Sequence, residues 1–241
     1  MPDKWLKIEN KTEDSGDVYI YGVITDEKWY DSDVTPTWFK DQMAKLSKLK
    51  NINLFVNSPG GGVFAGMAIY HVINRVSAYV NGIVDGIAAS ISSVILMAAD
   101  KITVPKTSLV MIHNPESIAI GDSAILRKEA DVLDRVKATI VAAYAEKTKK
   151  KPEDIAALMD AETWMTGEEA VKNGFADTLD PAKNITACYQ GKSVVINGME
   201  VNLDNFKSFP KDRFSVAPEA SGNKRLVNAR NKFLQLKKES L

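Results

Sequence analysis

Hydrophobic and polar positions along the 241-residue chain switch repeatedly between a period of two and a period near 3.6. Residues 17–25, DVYIYGVIT, alternate and are rich in β-branched and aromatic side chains, which predicts an early strand. Thr35-Pro36 then opens a helix: threonine can cap, proline suits the first helical position, and Trp38, Phe39, Met43, Leu46 and Leu49 recur at roughly helical spacing. INLFV at 52–56 is a continuous apolar run of the kind buried on both faces of a sheet, and it leads into the turn-forming residues Ser58-Pro59-Gly60-Gly61-Gly62. After the glycines, Val63, Phe64, Met67, Tyr70 and Ile73 predict a helix, and YVNGIV at 79–84 predicts a second buried strand. Ser90 stands at the start of the next helical stretch, and 102–104 and 109–112 read as short strands.

A strand, a glycine-rich turn, a helix and a strand in succession point to an α/β fold with a largely parallel sheet, in which sites gather at the carboxyl ends of strands. Residues 122–148 carry the longest helical pattern, with Leu126, Ala130, Leu133, Val136, Ile140 and Ala143 on one apolar face. That face is expected to pack on the core or against another copy of the chain. Lys151-Pro152 starts a shorter helix, and Thr166 with Glu169 makes a capping box before one that ends at Gly174.

Beyond about Pro181 the character of the chain changes. Asn197-Gly198 between SVVI and MEVNL marks a two-residue hairpin turn. The reading is a domain over 1–180 and a C-terminal extension over 181–241, with a β-hairpin at 192–203 and a basic amphipathic tail. From Asn205 onward there are nine Lys or Arg against three Asp or Glu, a net of +6, which leaves −6 on the rest of a chain with zero net charge. Leu226, Ala229, Phe233 and Leu236 repeat at a/d spacing after the linker 215–223, which predicts a terminal amphipathic helix, and the tail from about 205 is expected to serve a purpose separate from the domain.

Composition narrows the function classes. With 45% hydrophobic and 26% charged residues the chain is ordinary for a globular protein, and its zero net charge removes any whole-chain electrostatic case for nucleic acid or an anionic membrane. Asp3, Lys4 and Lys7 interrupt the apolar run a secretory signal needs, and the longest apolar stretch, Gly82 to Ala99, contains Asp85 and three serines. A cytoplasmic location with no membrane span is expected. The one cysteine, Cys188, cannot form an internal disulfide, and with two histidines it leaves too few soft ligands for a structural zinc site. No metal or cofactor is expected.

A general base near neutral pH is most often histidine, which leaves His71 and His113. His71 lies late in a helix and reads as a boundary residue. His113 follows the apolar run 109–112, where a buried strand emerges, and is either structural or a base. Ser90, in Gly86-Ile87-Ala88-Ala89-Ser90-Ile91-Ser92-Ser93, is either the N-cap of a core helix or a nucleophile approached over small residues. Ser92 and Ser93 lack the preceding small-residue bend and are expected to face the surroundings of the helix. The glycines 60–62 lack the Gly-Lys-Ser/Thr ending of a phosphate loop; their other use is to turn a backbone N–H toward an oxyanion.

Three segments taken together resemble one family. NSPGGGVFAGMAIY at 57–70, GIAASISSVILMAA at 86–99 and MIHNP at 111–115 are similar, in order and spacing, to the Clp protease proteolytic subunit and its relatives, and the similarity covers about residues 17–180. The resemblance implies a Clp/crotonase-like α/β fold with mainly parallel sheets and a long protruding helix, and self-association into rings. It implies a serine endopeptidase with Ser90 as nucleophile, His113 as base and the backbone N–H groups of Gly61 and Ile91 as oxyanion donors. In housekeeping members the acid of the triad lies twelve residues before the glycine that matches Gly174, in an Asp-Arg pair. Here that position is Glu162, followed by Thr163, with Asp160 as the fallback.

The segment 160–177, DAETWMTGEEAVKNGFAD, and the long tail look more like phage or prophage head maturation proteases, which trim capsid, scaffold or portal proteins inside a prohead. That resemblance implies phage structural proteins as substrates and a host-cytoplasm or prohead location, and it leaves partnership with an unfoldase ATPase open. The alternatives are a housekeeping-type subunit fed by such an ATPase, a Ser/Lys peptidase sharing the Ala-Ala-Ser stretch, and an assembly scaffold that has lost activity.

Overall fold

Strand pairing extends the strands well past the apolar runs that predict them. The computed structural model describes residues 9–12, 14–181, 187–190, 192–196 and 199–211. β1 (Glu9–Thr12) and β2 (Ser15–Ile24) precede α1 (Pro36–Lys45), and β3 (Asn51–Gly61), α2 (Val63–Ile73) and β4 (Tyr79–Ala89) form the first crossover unit. Next come α3 (Ile91–Leu96), β5 (Lys101–Pro105), β6 (Leu109–Ile112) and the long α4 (Ser123–Thr148). They are followed by α5 (Pro152–Asp160), β7 (Thr163–Thr166), α6 (Gly167–Lys172) and β8 (Thr178–Asp180). The last elements are β9 (Ala187–Gln190), β10 (Ser193–Ile196), β11 (Met199–Asn202) and a 3-10 turn at Leu203–Asn205.

The main sheet runs β1-β2-β3-β4-β5-β8, with β6 joined to β4 and β7 to β6. Its pairings are parallel except β1 with β2 and β6 with β7, so the fold is α/β with a mostly parallel sheet. β4 forks: Asn81–Ile83 pair with β5, whereas Ile87–Ala89 pair with β6. The fork brings the end of β6 beside the end of β4.

The glycine-rich segment read as a turn is instead the end of β3. Gly60 and Gly61 pair with Val23 and Ile24 of β2, and Ser58 pairs with Ala88 of β4; the register shifts between Asn57 and Gly60 against β2 and between Val56 and Ser58 against β4. Turn-type residues are tolerated there because a bulged strand end accommodates a missing N–H and positive φ. The caps follow the sequence. Thr35 accepts from Trp38 N at 3.3 Å, and the Thr166–Glu169 box is complete.

Helix α4 has 26 residues, a length of about 39 Å at 1.5 Å per residue. Only Ile140, Val141, Ala143 and Tyr144 near its C-terminal end are buried, while Ile125, Leu126 and Val132 are 52%, 46% and 38% exposed. Core packing thus accounts for the C-terminal part of the helix, with Val136 half-buried against the core, while Ile125, Leu126 and Val132 toward its N-terminal end stay uncovered.

Alternation along β4 and β6 separates two apolar clusters. Ala88, Val110 and Ile112 face the main core with α1 to α3, whereas Ile87, Ala89, Leu109 and Met111 face a second cluster. That second cluster is closed by Trp164 of β7 and by Val194, Ile196, Val201, Leu203 and Phe209. β9, β10 and β11 form a separate antiparallel sheet, in which Ile196 pairs with Met199 as the hairpin signal requires. The turn 197–198 itself, the linker 215–223 and the amphipathic pattern 226–236 lie outside the described residues. No described helix is long and apolar enough to cross a membrane.

Candidate active site

Ser90 occupies the bend between β4 and α3 with φ 56° and ψ −133°, in the region of positive φ that a side chain disfavours. Such a conformation costs about 1–3 kcal/mol and persists only where the surroundings fix it. Here the Ser90 N–H donates to the Met111 carbonyl at 3.0 Å, tying the bend to β6. Gly60, with φ 99°, abuts the same bend, and a Cβ there would lie 2.7 Å from both the Ala89 carbonyl oxygen and Ser90 Cβ. Gly61 follows with φ 142°, where a Cβ would lie 2.1 Å from the Ile24 carbonyl oxygen. Ile91 is the first residue of α3, and the N–H at that position has no acceptor within a helix.

His113 follows β6, and its Nε2 lies 2.8 Å from Ser90 Oγ. The two residues are 23 apart in sequence and meet because β6 pairs with the terminal half of β4, Ala89 opposite Met111. Burial holds the His113 pKa below its ordinary 6.5; Glu116 and Glu162 oppose the shift and Lys207 adds to it. The imidazole is therefore neutral at pH 7 and able to accept a proton. His71, in contrast, is exposed on α2 with its ring edge-on to Tyr70.

The two acidic candidates lie in different surroundings. Asp160 is exposed and takes hydrogen bonds from Lys137 Nζ and from Asn114 Nδ2, the former being the main cause of its lowered pKa. Glu162 is 7% exposed and has φ 47°. Its Oε1 accepts from Ser208 N at 2.7 Å, Ser208 Oγ at 3.1 Å and Trp164 Nε1 at 3.1 Å, and its Oε2 accepts from Lys207 N at 2.9 Å. Burial alone would raise the Glu162 pKa, but these donors outweigh it and hold the carboxyl below its ordinary value. Among the described residues no hydrogen bond joins His113 to either carboxylate. The influence of Glu162 on the imidazole is electrostatic.

A family model for Clp protease matches residues 4–181, a span that contains the Ser90–His113 contact and both glycines. The chain belongs to the Clp protease family. It is 37% identical over 132 residues to an ATP-dependent Clp protease proteolytic subunit 3 from Streptomyces coelicolor, covering 54% of this chain and 60% of that one. It is 34% identical over 137 residues to a proteolytic subunit from Pleurastrum terricola and 32% over 152 residues to one from Bacteroides fragilis. Those matches take in 56% and 61% of this chain and 69% and 73% of the relatives.

In this Clp-family chain the residues after 202 contribute to the site in a way the sequence reading does not anticipate. Phe206 stands with its ring centroid 6.4 Å from that of His113 and 5.1 Å from that of Trp164, and Phe209 packs edge-on to Trp164 at 4.8 Å. Lys207 reaches Glu116 at 2.7 Å, and Ser208 Oγ also donates to the Glu162 carbonyl at 2.7 Å. The signal was two phenylalanines inside an otherwise basic and polar stretch, KSFP being flanked by one and containing the other. Ser92 and Ser93, expected to face the surroundings of the helix, are both fully buried there and bonded to carbonyls.

The contact of Gly60 with the Ser90 bend gives a sharp expectation. Gly60→Ala meets fixed backbone at Ala89 and must displace Ser90 from His113. A misplacement of about 1 Å costs on the order of 10²-fold in turnover. Peptide hydrolysis measured beside circular dichroism is expected to show that loss in a folded protein, and a fully active variant would contradict the assigned contact.

Proposed function

We propose that this chain is a serine endopeptidase in which Ser90 is the nucleophile and His113 the general base. The observation that carries the reading is the 2.8 Å contact between Ser90 Oγ and His113 Nε2 at a strained strand-to-helix bend. As Oγ attacks the scissile carbonyl carbon, its proton passes to Nε2, and the carbonyl oxygen becomes an oxyanion. The N–H groups of Gly61 and Ile91 are assigned to that oxyanion by the family motif. The C–N bond then breaks as His113 returns the proton to the leaving amine, which leaves an acyl group on Ser90. Water, deprotonated by the same imidazole, releases the acid and restores Ser90. Glu162, held ionised by Ser208, Lys207 and Trp164, is assigned to stabilise the imidazolium through space, and Asp160 is left to its partners Asn114 and Lys137.

The names of those relatives include ATP dependence, which supports work beside an ATPase on protein substrates more than a role in phage head maturation. The narrower phage reading rests on 160–177 and the tail. Self-association belongs to the same proposal: Ile118 and Ile120 are 94% and 92% exposed just before α4, which itself exposes Ile125, Leu126 and Val132. Intact mass after incubation with a fluorophosphonate tests the chemistry, with one adduct on Ser90 expected and an unmodified chain pointing to an inactive scaffold. Degradation of a folded protein with and without an ATPase and ATP separates the two biological readings.

The depressed pKa of His113 sets the acid limb of the pH profile. A base must be neutral to act, so kcat/KM rises with pH through the His113 pKa of the free enzyme. Because burial lowers that pKa, half-maximal kcat/KM is expected below pH 6.5. A midpoint at or above about 7 would mean that another group is the base.

A further inference from the structure

The buried hydroxyl of Ser93 lies behind the nucleophile, where three groups from separate parts of the chain converge on it. Its Oγ is 2.6 Å from the Ser90 carbonyl oxygen, 2.8 Å from the Met111 carbonyl oxygen and 2.7 Å from Tyr144 Oη. A carbonyl only accepts, so the single Ser93 proton is directed at these two oxygens. The remaining contact then needs the Tyr144 hydroxyl to donate to Ser93 Oγ. Tyr144 is 1% exposed and comes from the buried foot of α4, where its ring packs edge-on to Phe175 at 5.5 Å.

Resting on the proposed role of Ser90, we propose that Ser93 and Tyr144 are positioning residues that hold the nucleophile and the base in register. A serine bonding to the carbonyl three residues back is a common local habit of helices. The contacts to Met111 and Tyr144 span 18 and 51 residues and are not local. Met111 O also accepts the Ser90 N–H, so one oxygen, two residues before His113, receives both the nucleophile's own N–H and the Ser93 hydroxyl. Ser90 is thereby held at its N–H and at its C=O. That double tether meets the requirement for keeping a non-glycine residue at φ 56°. Ser92, next to it, bonds the Ala89 and Ser58 carbonyls and braces the strand end before the glycines; among the described residues its hydroxyl makes no hydrogen bond to Ser90 or β6.

The test measures Ser90 labelling by a fluorophosphonate, together with peptide kcat and KM, in the full chain carrying Ser93→Ala, Tyr144→Phe or both. Ser93→Ala is expected to lower kcat and the labelling rate constant by roughly tenfold or more with KM within about twofold, because geometry and not substrate binding is lost. Tyr144→Phe, which leaves Ser93 its carbonyl partners, is expected to lower both by a smaller factor. The double variant is expected to be as slow as Ser93→Ala yet to melt higher than it, since the phenol no longer lies buried without a partner. Should Ser93→Ala fail to fold, Tyr144→Phe and the double variant decide the matter. Wild-type labelling rates in the folded variants, or a rise in KM with kcat unchanged, would overturn the positioning role. An unlabelled wild type, or labelling that survives Ser90→Ala, would overturn the Ser90 reading and this inference with it.

Discussion

Ser90→Ala and His113→Ala are each expected to reduce peptide turnover by about 10⁴–10⁶-fold, because a nucleophile and its base act as one unit and neither retains its function alone. The fold is expected to survive both. Ser90 Oγ bonds only His113 Nε2 among the described contacts, so alanine removes that one bond and keeps the N–H to Met111 and the carbonyl to Ser93. Alanine at φ 56° carries much the same backbone cost as serine, so the bend has no new reason to relax. At position 113 the lost ring is half-buried, and its aromatic neighbour is Phe206 at 6.4 Å, so the gap opens at the edge of the second cluster and not in the main core. Purified variants, checked by circular dichroism and freed of contaminating peptidase, would be assayed on an unstructured peptide. Near-native turnover by Ser90→Ala would falsify the nucleophile assignment, and retained fluorophosphonate labelling in that variant would locate the reactive group elsewhere.

Much of this site was legible because its signals are short-range. The small residues before Ser90, the apolar strand before His113 and the glycines 60–62 each state a local constraint; β4 joins them, pairing with β6 on one side and with β3 on the other. Where the reading fell short, the missing information was a partner distant in sequence. Periodicity marks α4 as having an apolar face, but says nothing of what covers it, and it is fully buried only at Ile140, Val141, Ala143 and Tyr144. Turn-type residues at 58–61 could not reveal that β2 and β4 would flank them and hold them as strand. Ser93 reads as unremarkable beside Ser90 until Tyr144, 51 residues on, is placed against it. Spacing from Gly174 likewise finds a carboxylate at 162 but not the donors Lys207 and Ser208, which come from 45 and 46 residues later.

Those donors change what the C-terminal residues are expected to do. A tail separate from the domain from about 205 onward would allow deletion of 205–241 without loss of peptide hydrolysis, but the structure moves that boundary. Phe206 and Phe209 pack on Trp164, Leu203 closes the second cluster, and Lys207 and Ser208 supply three of the four hydrogen bonds to the Glu162 carboxylate. A chain ending at Asn202 therefore uncovers an apolar surface and leaves a buried carboxylate short of donors, each a recognised route to a large loss of stability. Phe209 alone is 8% exposed, and Phe209→Ala is expected to cost up to about 3–5 kcal/mol, the range for emptying a buried phenylalanine site. A chain ending at Lys211 keeps every one of these contacts. It is expected to melt within a few degrees of the full chain and to hydrolyse peptides at the same rate. Calorimetry and a peptide assay on the two truncations test the boundary directly. Equal stability of both truncations would show that 203–211 does not hold the site together, and loss of activity in the longer one would mean that 212–241 belongs to the catalytic unit as well.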